Sequence, residues 1–216
     1  MSRFRLSMMA ASLMFLTSAA SAAPLHRPGD PDPQAPSLPS HVSVLQTLES
    51  PTDISMGNGP RLLVVFLDRG TPLLRAQEIA LLEFSQRHQD IKVVIKELPL
   101  VSPESVAIAV AETSVAMAGD PEKWMAFESK VMQAKDLSPA ALRRMALASG
   151  ITAEQYDTPI NDGSVAKKLR YNRALAESAN IRSAPVFVSD NGQTHSGALS
   201  VGGIEALTAA PGHFTN

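Results

Sequence analysis

Few side chains of this 216-residue chain combine a reactive type with a useful spacing. The chain contains no cysteine, so it cannot by itself form or exchange a disulfide bond. Its five histidines are scattered and form neither an i, i+4 pair nor an H-E-x-x-H pattern, which predicts no metal site. No glycine-rich loop suited to phosphate is present, and we therefore expect no cofactor.

The hydroxyl of Thr71 stands at the start of a predicted helix, directly before Pro72. There it can accept hydrogen bonds from the first unpaired backbone N–H groups, a capping role that contributes about 1 kcal/mol. Proline at the first helical position lacks an N–H that would have no partner anyway. The same pairing marks three further helix starts, at Ser102-Pro103, Asp120-Pro121 and Ser138-Pro139. A structural cap is therefore the preferred interpretation of Thr71.

The elements around Thr71 follow the order strand, helix, strand. Residues 62–67 are a continuous apolar run, which is typical of a strand buried on both faces. Residues 72–88 predict a helix, and residues 91–98 predict a second strand whose lysines suggest a position nearer the sheet edge. A right-handed crossover makes two such strands parallel. Residues 42–45 predict an additional first strand.

The rest of the chain divides into a helical region and a C-terminal hairpin with a last helix. Residues 101–180 carry the three further capped starts, and Gly119 and Gly150 predict helix ends. The C-terminal part predicts a strand, a tight Asp-Asn-Gly turn, a partner strand and a helix, at 185–188, 190–192, 193–198 and 201–210. Together these elements predict an α/β fold class.

The first 40 residues predict export. Residues 1–22 combine a basic start, a short apolar run and a small-residue cleavage site near Ala22, as in a secretory signal peptide. The alternative, an uncleaved anchor, is disfavoured because the apolar run is too short for a comfortable span. Residues 23–40 contain six prolines and predict an extended spacer. We expect a periplasmic or secreted protein with no membrane span after cleavage.

The charge balance argues against two classes of partner. The formal net charge is −2, and loss of the signal with its two arginines makes it about −4. Such a chain has no basic field for nucleic acid and little attraction to an anionic membrane surface. One predicted helix does have a basic face, formed by Lys167, Lys168, Arg170 and Arg173. We interpret it as a solvated face, with docking of an acidic partner as the alternative.

The order of these segments resembles the DsbA-like family of exported thiol–disulfide oxidoreductases. The likeness is carried by VVFLDRGTPLLRA, IKVVIKELPLVSPES and NRALAESANIRSAPVFV, and by the glycine-containing C-terminal segment. The resemblance implies a thioredoxin-like fold with a helical insertion between the β-α-β half and the C-terminal β-hairpin-α half. It places the thioredoxin-like domain at 41–100 and 181–212 and the inserted helical subdomain at 101–180. Pro185, after Ala184, takes the place of the family's cis-proline.

The chain departs from the family at the residues that carry its chemistry. The family has a C-x-x-C motif at the start of the first helix, and here Thr71 and Leu74 occupy the two cysteine positions, with Pro72 and Leu73 between them. The acidic residue that the family buries on the preceding strand is not evident in 62–66. The resemblance thus predicts the fold, and the missing cysteines exclude its redox cycle.

Three functions remain open. The first is a non-catalytic, polypeptide-binding or chaperone-like module, which receives an extended segment between residues 71–74 and the pair Ala184-Pro185. The second follows from the kappa-class glutathione transferases, which share this scaffold and place a serine hydroxyl at the first position, so that Thr71 would stabilise a glutathione thiolate. The third is a structural subunit of an envelope assembly, tethered by residues 23–40.

Overall fold

The computed structural model describes residue 50, residues 52–70 and residues 72–209, except for the side chains of residues 72–74. The predicted signal peptide (1–22), the predicted spacer (23–40) and the predicted strand at 42–45 lie outside the described residues. The described chain forms five strands, β1 to β5, at Ile54–Met56, Arg61–Leu67, Ile91–Glu97, Val186–Ser189 and Thr194–Ser196.

The strands form one mixed sheet in the order β1-β3-β2-β4-β5. β2 and β3 pair in parallel, with Leu63 opposite Val93, as the strand–helix–strand pattern predicts. β4 pairs antiparallel with β2, and the hairpin partner β5 forms the edge. The lysines of β3 do not mark an edge strand, because β1 covers its outer side and Lys96 is fully buried.

Seven helices are described, α1 to α7, at Pro72–Arg87, Pro103–Met117, Pro121–Gln133, Pro139–Ala148, Ala153–Asn161, Ser164–Ser178 and Val201–Thr208. The predicted caps Ser102, Asp120 and Ser138 each accept a hydrogen bond from a backbone N–H in the first turn. Gly119 and Gly150 follow helix ends with φ of 71° and 88°, a backbone region that favours glycine. Of the described helices, none is both long and apolar enough to cross a bilayer.

The alternating side chains of β2 explain its continuous apolar sequence. Leu63, Val65 and Leu67 enter a large core to which helices α1 to α5 and α7 also contribute. Val64 and Phe66 enter a second core on the face covered by α6, which contributes Ala176. Each fully buried side chain of this size stabilises the fold by roughly 1.5–3 kcal/mol. The element order confirms the predicted α/β fold, a thioredoxin-like sheet interrupted by helices.

Candidate functional site

The predicted site residues at the start of α1 are described only in part. The helix begins at Pro72, as predicted. Thr71 itself lies outside the described residues, and so do the side chains of Pro72, Leu73 and Leu74. The capping role and the catalytic role of Thr71 therefore both remain predictions, and the site is built from its neighbours.

Asp68 fastens the end of β2 to the loop after β3. Its carboxylate is buried and accepts three backbone N–H groups, from Gly70 at 2.8 Å, from Leu100 at 2.7 Å and from Val101 at 3.0 Å. A carboxyl group that accepts three backbone N–H groups holds its donors in place. The loop that carries Leu100 and Val101 is thereby held beside the turn into α1.

The loop after β3 exposes two large apolar side chains next to that turn. Leu100 is 40% exposed and Val101 is 57% exposed. A Cβ added to Gly70 would lie only 2.7 Å from a methyl group of Val101, which shows how closely the two segments approach. We call Leu100 and Val101 the lip. Exposed apolar side chains clustered at a functional position are typical of a binding surface.

The pair Ala184-Pro185 lies at the same end of the sheet as the lip. Its peptide bond is cis, as the resemblance implied. Phe66 in β2 is opposite Val186 in β4, so Pro185 falls beside the last residues of β2. The Pro185 carbonyl accepts a hydrogen bond of 2.9 Å from Gly197 N–H, which ties the pair to the end of the hairpin. The structure thus brings Ala184-Pro185 and the turn at 68–70 to the same end of the sheet, where β2 ends and β4 begins.

Arg69, in the middle of that turn, is fully buried among acidic side chains. Its guanidinium donates to both carboxylate oxygens of Glu78, at 2.7 and 2.5 Å, and forms a further ion pair with Glu97. The bidentate arrangement matches the planar fork of arginine. These contacts link the end of β2 to α1 and to the end of β3.

Two more buried glutamates extend this group, which we call the Arg69 cluster: Arg69, Glu78, Glu97, Glu112 and Glu128. Glu112 in α2 accepts a hydrogen bond of 2.7 Å from Trp124 Nε1. Neither oxygen of Glu128 in α3 has an N–H or hydroxyl donor among the described residues. The charged groups that act on it most strongly are the carboxyl group of Glu112 and the guanidinium of Arg69. A buried carboxylate without a hydrogen-bond donor is costly, which favours the protonated form of Glu128.

The pKa values in the cluster are consistent with such a proton. Burial raises the pKa of Glu128 to about 8, and the charge of Glu112 adds to this effect. Burial also raises the pKa of Glu78 to about 8, although the Arg69 guanidinium opposes the change. The pKa of Glu112 is raised for the same reason. Because Arg69 binds Glu78 directly, Glu128 is the carboxyl group best placed to keep a proton at neutral pH.

The buried cluster is the feature that the sequence reasoning missed. An acidic residue within an apolar helical segment, such as Glu112 in AIAVAETSVAM, is the local signal that could have indicated it. The partners of that residue come from distant parts of the chain, so their convergence has no local signature. β2 itself has no acidic residue, and the acids of the Arg69 cluster come from helices α1, α2 and α3 and from β3.

The predicted basic face of α6 is only partly a surface. Lys168 is buried and forms an ion pair with Asp53, which also accepts from Lys96 Nζ at 2.6 Å. Arg173 pairs with Glu177 at 3.1 Å one turn later on the same helix. Lys167 and Arg170 are exposed. The solvated-face interpretation therefore fails for Lys168.

Comparison with known proteins agrees with this geometry. The sequence profile of the DSBA-like thioredoxin domain matches residues 82–207. The chain belongs to the DSBA-like thioredoxin domain family. The match begins after the turn where the family's cysteines would lie. None of the curated proteins compared with the chain matches it.

Several solved structures share the fold. A thioredoxin-like oxidoreductase from Silicibacter pomeroyi is 20% identical, with 76% of this chain and 94% of that chain covered and a TM-score of 0.66. The thiol-disulfide exchange protein alpha-DsbA2 from Wolbachia pipientis is 18% identical, with coverages of 77% and 91% and a TM-score of 0.65. A periplasmic thioredoxin-like protein from Salmonella enterica serovar Typhimurium is 20% identical, with coverages of 77% and 92% and a TM-score of 0.64. At these identities the likeness shows the fold alone.

Proposed function

We propose that this chain is an exported DsbA-like protein that binds an unfolded or extended polypeptide without disulfide exchange. The observation that carries the proposal is the exposure of Leu100 and Val101 beside Gly70, at the sheet edge that also holds Ala184-Pro185. Extended segments bind through backbone hydrogen bonds and apolar contacts, and neither needs a thiol. The partner would be an unfolded polypeptide or an extended part of an envelope protein.

The lip is suited to weak and general binding. Covering the exposed part of a valine or leucine side chain contributes about 1 kcal/mol, so the lip alone gives modest affinity. Modest affinity with little side-chain selection is what a chaperone-like protein needs in order to release its clients. The absence of cysteine means that no covalent intermediate holds the client.

A charge placed on the lip should weaken binding. We expect Val101→Asp to lower the affinity for a permanently unfolded protein, such as reduced and carboxymethylated α-lactalbumin, by about tenfold, because an aspartate cannot be covered by apolar groups without loss of hydration. The matched control is Ile79→Asp in α1, since Ile79 is 54% exposed and lies outside the lip. Fluorescence anisotropy of the labelled client measures both variants. Equal effects of the two substitutions, or no binding by the unsubstituted protein, would reject the proposal.

Export is part of the proposal. It rests on residues 1–22, and cell fractionation tests it: the protein should appear in the periplasmic or extracellular fraction with its N-terminus near Ala23. The two other functions rest on residues outside the described part of the chain, Thr71 for glutathione and 23–40 for assembly, and no described contact favours either. Calorimetry with glutathione distinguishes the first of these, because binding that Thr71→Ala removes would support it.

A further inference from the structure

An apolar groove lies between α2 and α6, on the side of the sheet that α6 covers. Val106 and Val110 of α2 line it together with Val165 and Leu169 of α6, and its volume is about 360 Å³. Each pair is spaced i, i+4, so its two side chains lie one above the other on their helix. We call this cavity the α2–α6 groove.

The groove is open, and part of its apolar wall faces solvent. The side chain of Val106 is 49% exposed, so about half of its surface is in contact with solvent. The neighbouring residue Ser105, by contrast, is buried and lies against Gly70 at the turn into α1. Val106 and Ser105 therefore face different surfaces, and neither Leu100 nor Val101 lines the α2–α6 groove itself.

The charged residues that line the α2–α6 groove are both arginines, Arg170 and Arg173. Arg173 is paired with Glu177, whereas Arg170 forms no ion pair with an acidic side chain in the described part of the chain. An adjoining cavity of about 370 Å³ shares Leu98 and Arg173 with the groove and is lined as well by Leu100 of the lip, by Glu177 and by Arg182. The protein as a whole is acidic, with a net charge of −2, so this basic surface is a local feature.

We propose that the α2–α6 groove binds a partner polypeptide segment in which apolar side chains adjoin aspartate or glutamate. The valine and leucine walls would cover the apolar side chains of the segment. The guanidinium of Arg170 is exposed and has no acidic partner among the described residues, so it would receive a carboxylate of the segment in its planar fork. This surface goes beyond the function proposed for the lip, because it uses other residues and selects its partner by charge.

Selection from a library of random peptides tests the groove directly. Peptides of about 12 residues displayed on phage are selected on the purified protein and counter-selected on the double variant Val106→Glu, Arg170→Glu. We expect the recovered sequences to be enriched in Asp or Glu beside Leu, Ile, Val or Phe. Recovery of no sequence, or of basic or uncharged sequences, would overturn the proposal.

A recovered peptide then locates the site by fluorescence anisotropy. Arg170→Glu should weaken its binding about tenfold, whereas Lys167→Glu, an equal change of charge at an exposed position of α6 outside the groove, should change it less than about twofold. Equal effects of the two substitutions would mean that only the net charge of the protein matters for binding, and they would overturn the proposal.

Two further outcomes assign the groove to another occupant. Displacement of the peptide by dodecanoate at a similar concentration would indicate a site for an anionic lipid. A dimer in sedimentation that Val106→Glu abolishes would indicate a second copy of the chain. Either outcome would overturn the proposal. The variant Val101→Asp distinguishes this proposal from the function proposed for the lip. It should weaken binding of the unfolded client and leave binding of the recovered peptide unchanged.

Discussion

Gly70 is a glycine because of the space around it. An added Cβ would lie 2.0 Å from Ser105 Oγ and 3.0 Å from Asp68 Oδ1, as well as against Val101. The same three neighbours build the site: Asp68 holds the loop after β3, Ser105 completes the first turn of α2, and Val101 forms the lip. The turn after β2 lies so close to Val101 and Ser105 that position 70 has no room for a side chain.

Gly70→Ala should destabilise the protein. Because the methyl group would displace both a buried hydroxyl and the lip, we expect a loss of about 1–3 kcal/mol in the free energy of unfolding, measured by urea denaturation. The control is Gly202→Ala in α7, where the structure places no atom within 4 Å of the added Cβ. Alanine is favoured over glycine in a helix, so this control should be neutral or stabilising by about 0.5–1 kcal/mol. A neutral Gly70→Ala would contradict the close approach.

At the scale of elements, the Arg69 cluster ties three helices to the sheet through buried charge. Arg69 follows β2, Glu97 ends β3, and the remaining acids come from successive helices, Glu78, Glu112 and Glu128. Removing one partner from a buried charge network is costly because it leaves an uncompensated charge. The insertion is thus connected to the turn at 68–70 by electrostatics as well as by packing.

The cluster predicts that stability falls as pH rises. An unfolded glutamate loses its proton near pH 4.5, whereas the pKa of Glu128 in the folded protein is about 8. Between these values the folded state binds more protons than the unfolded state, so the stabilisation is full below about pH 4.5 and lost as pH rises through about 8. One retained proton contributes a slope of about 1.4 kcal/mol per pH unit.

Urea unfolding at several pH values measures this slope, and the chain's one tryptophan, Trp124, reports it by fluorescence because it donates to Glu112. We expect Glu128→Gln to reduce the slope between pH 5 and pH 8, since the amide carries no titrating proton. Glu122→Gln, at an exposed position in the same helix, should leave the slope unchanged. Stability that rises with pH across this range, or an unchanged slope in Glu128→Gln, would contradict the protonated cluster.

The elements that the sequence predicted correctly are those with a local sequence pattern. The apolar run of β2, the caps at Ser102, Asp120 and Ser138, and the turn glycines each identify an element from its own residues. The burial of Lys96 could not be found in this way, because its partner Asp53 is 43 positions away along the chain. The Arg69 cluster and the α2–α6 groove could not be predicted either, because their residues are far apart along the chain and meet only when the helices pack.

At the scale of the whole molecule, the family fold is present and the reactive residues of the family are not. The DSBA-like match covers residues 82–207, and one end of the sheet has both the exposed lip and the cis bond of Ala184-Pro185. The buried Asp68 and Arg69 hold that edge in place through contacts that involve no cysteine. Membership of the family thus establishes the scaffold, whereas polypeptide binding is our proposal.

Hydrogen–deuterium exchange of the protein with and without an unfolded client tests that proposal most directly. The client, reduced and carboxymethylated α-lactalbumin, should slow exchange of the backbone amides in the loop 99–102 and in the segment 182–186, because an extended segment bound there would cover both. The helix α4 contributes no residue to the lip, to Ala184-Pro185 or to the α2–α6 groove, and it serves as the internal control. Unchanged exchange at both segments with saturating client, or protection confined to α4, would contradict the account.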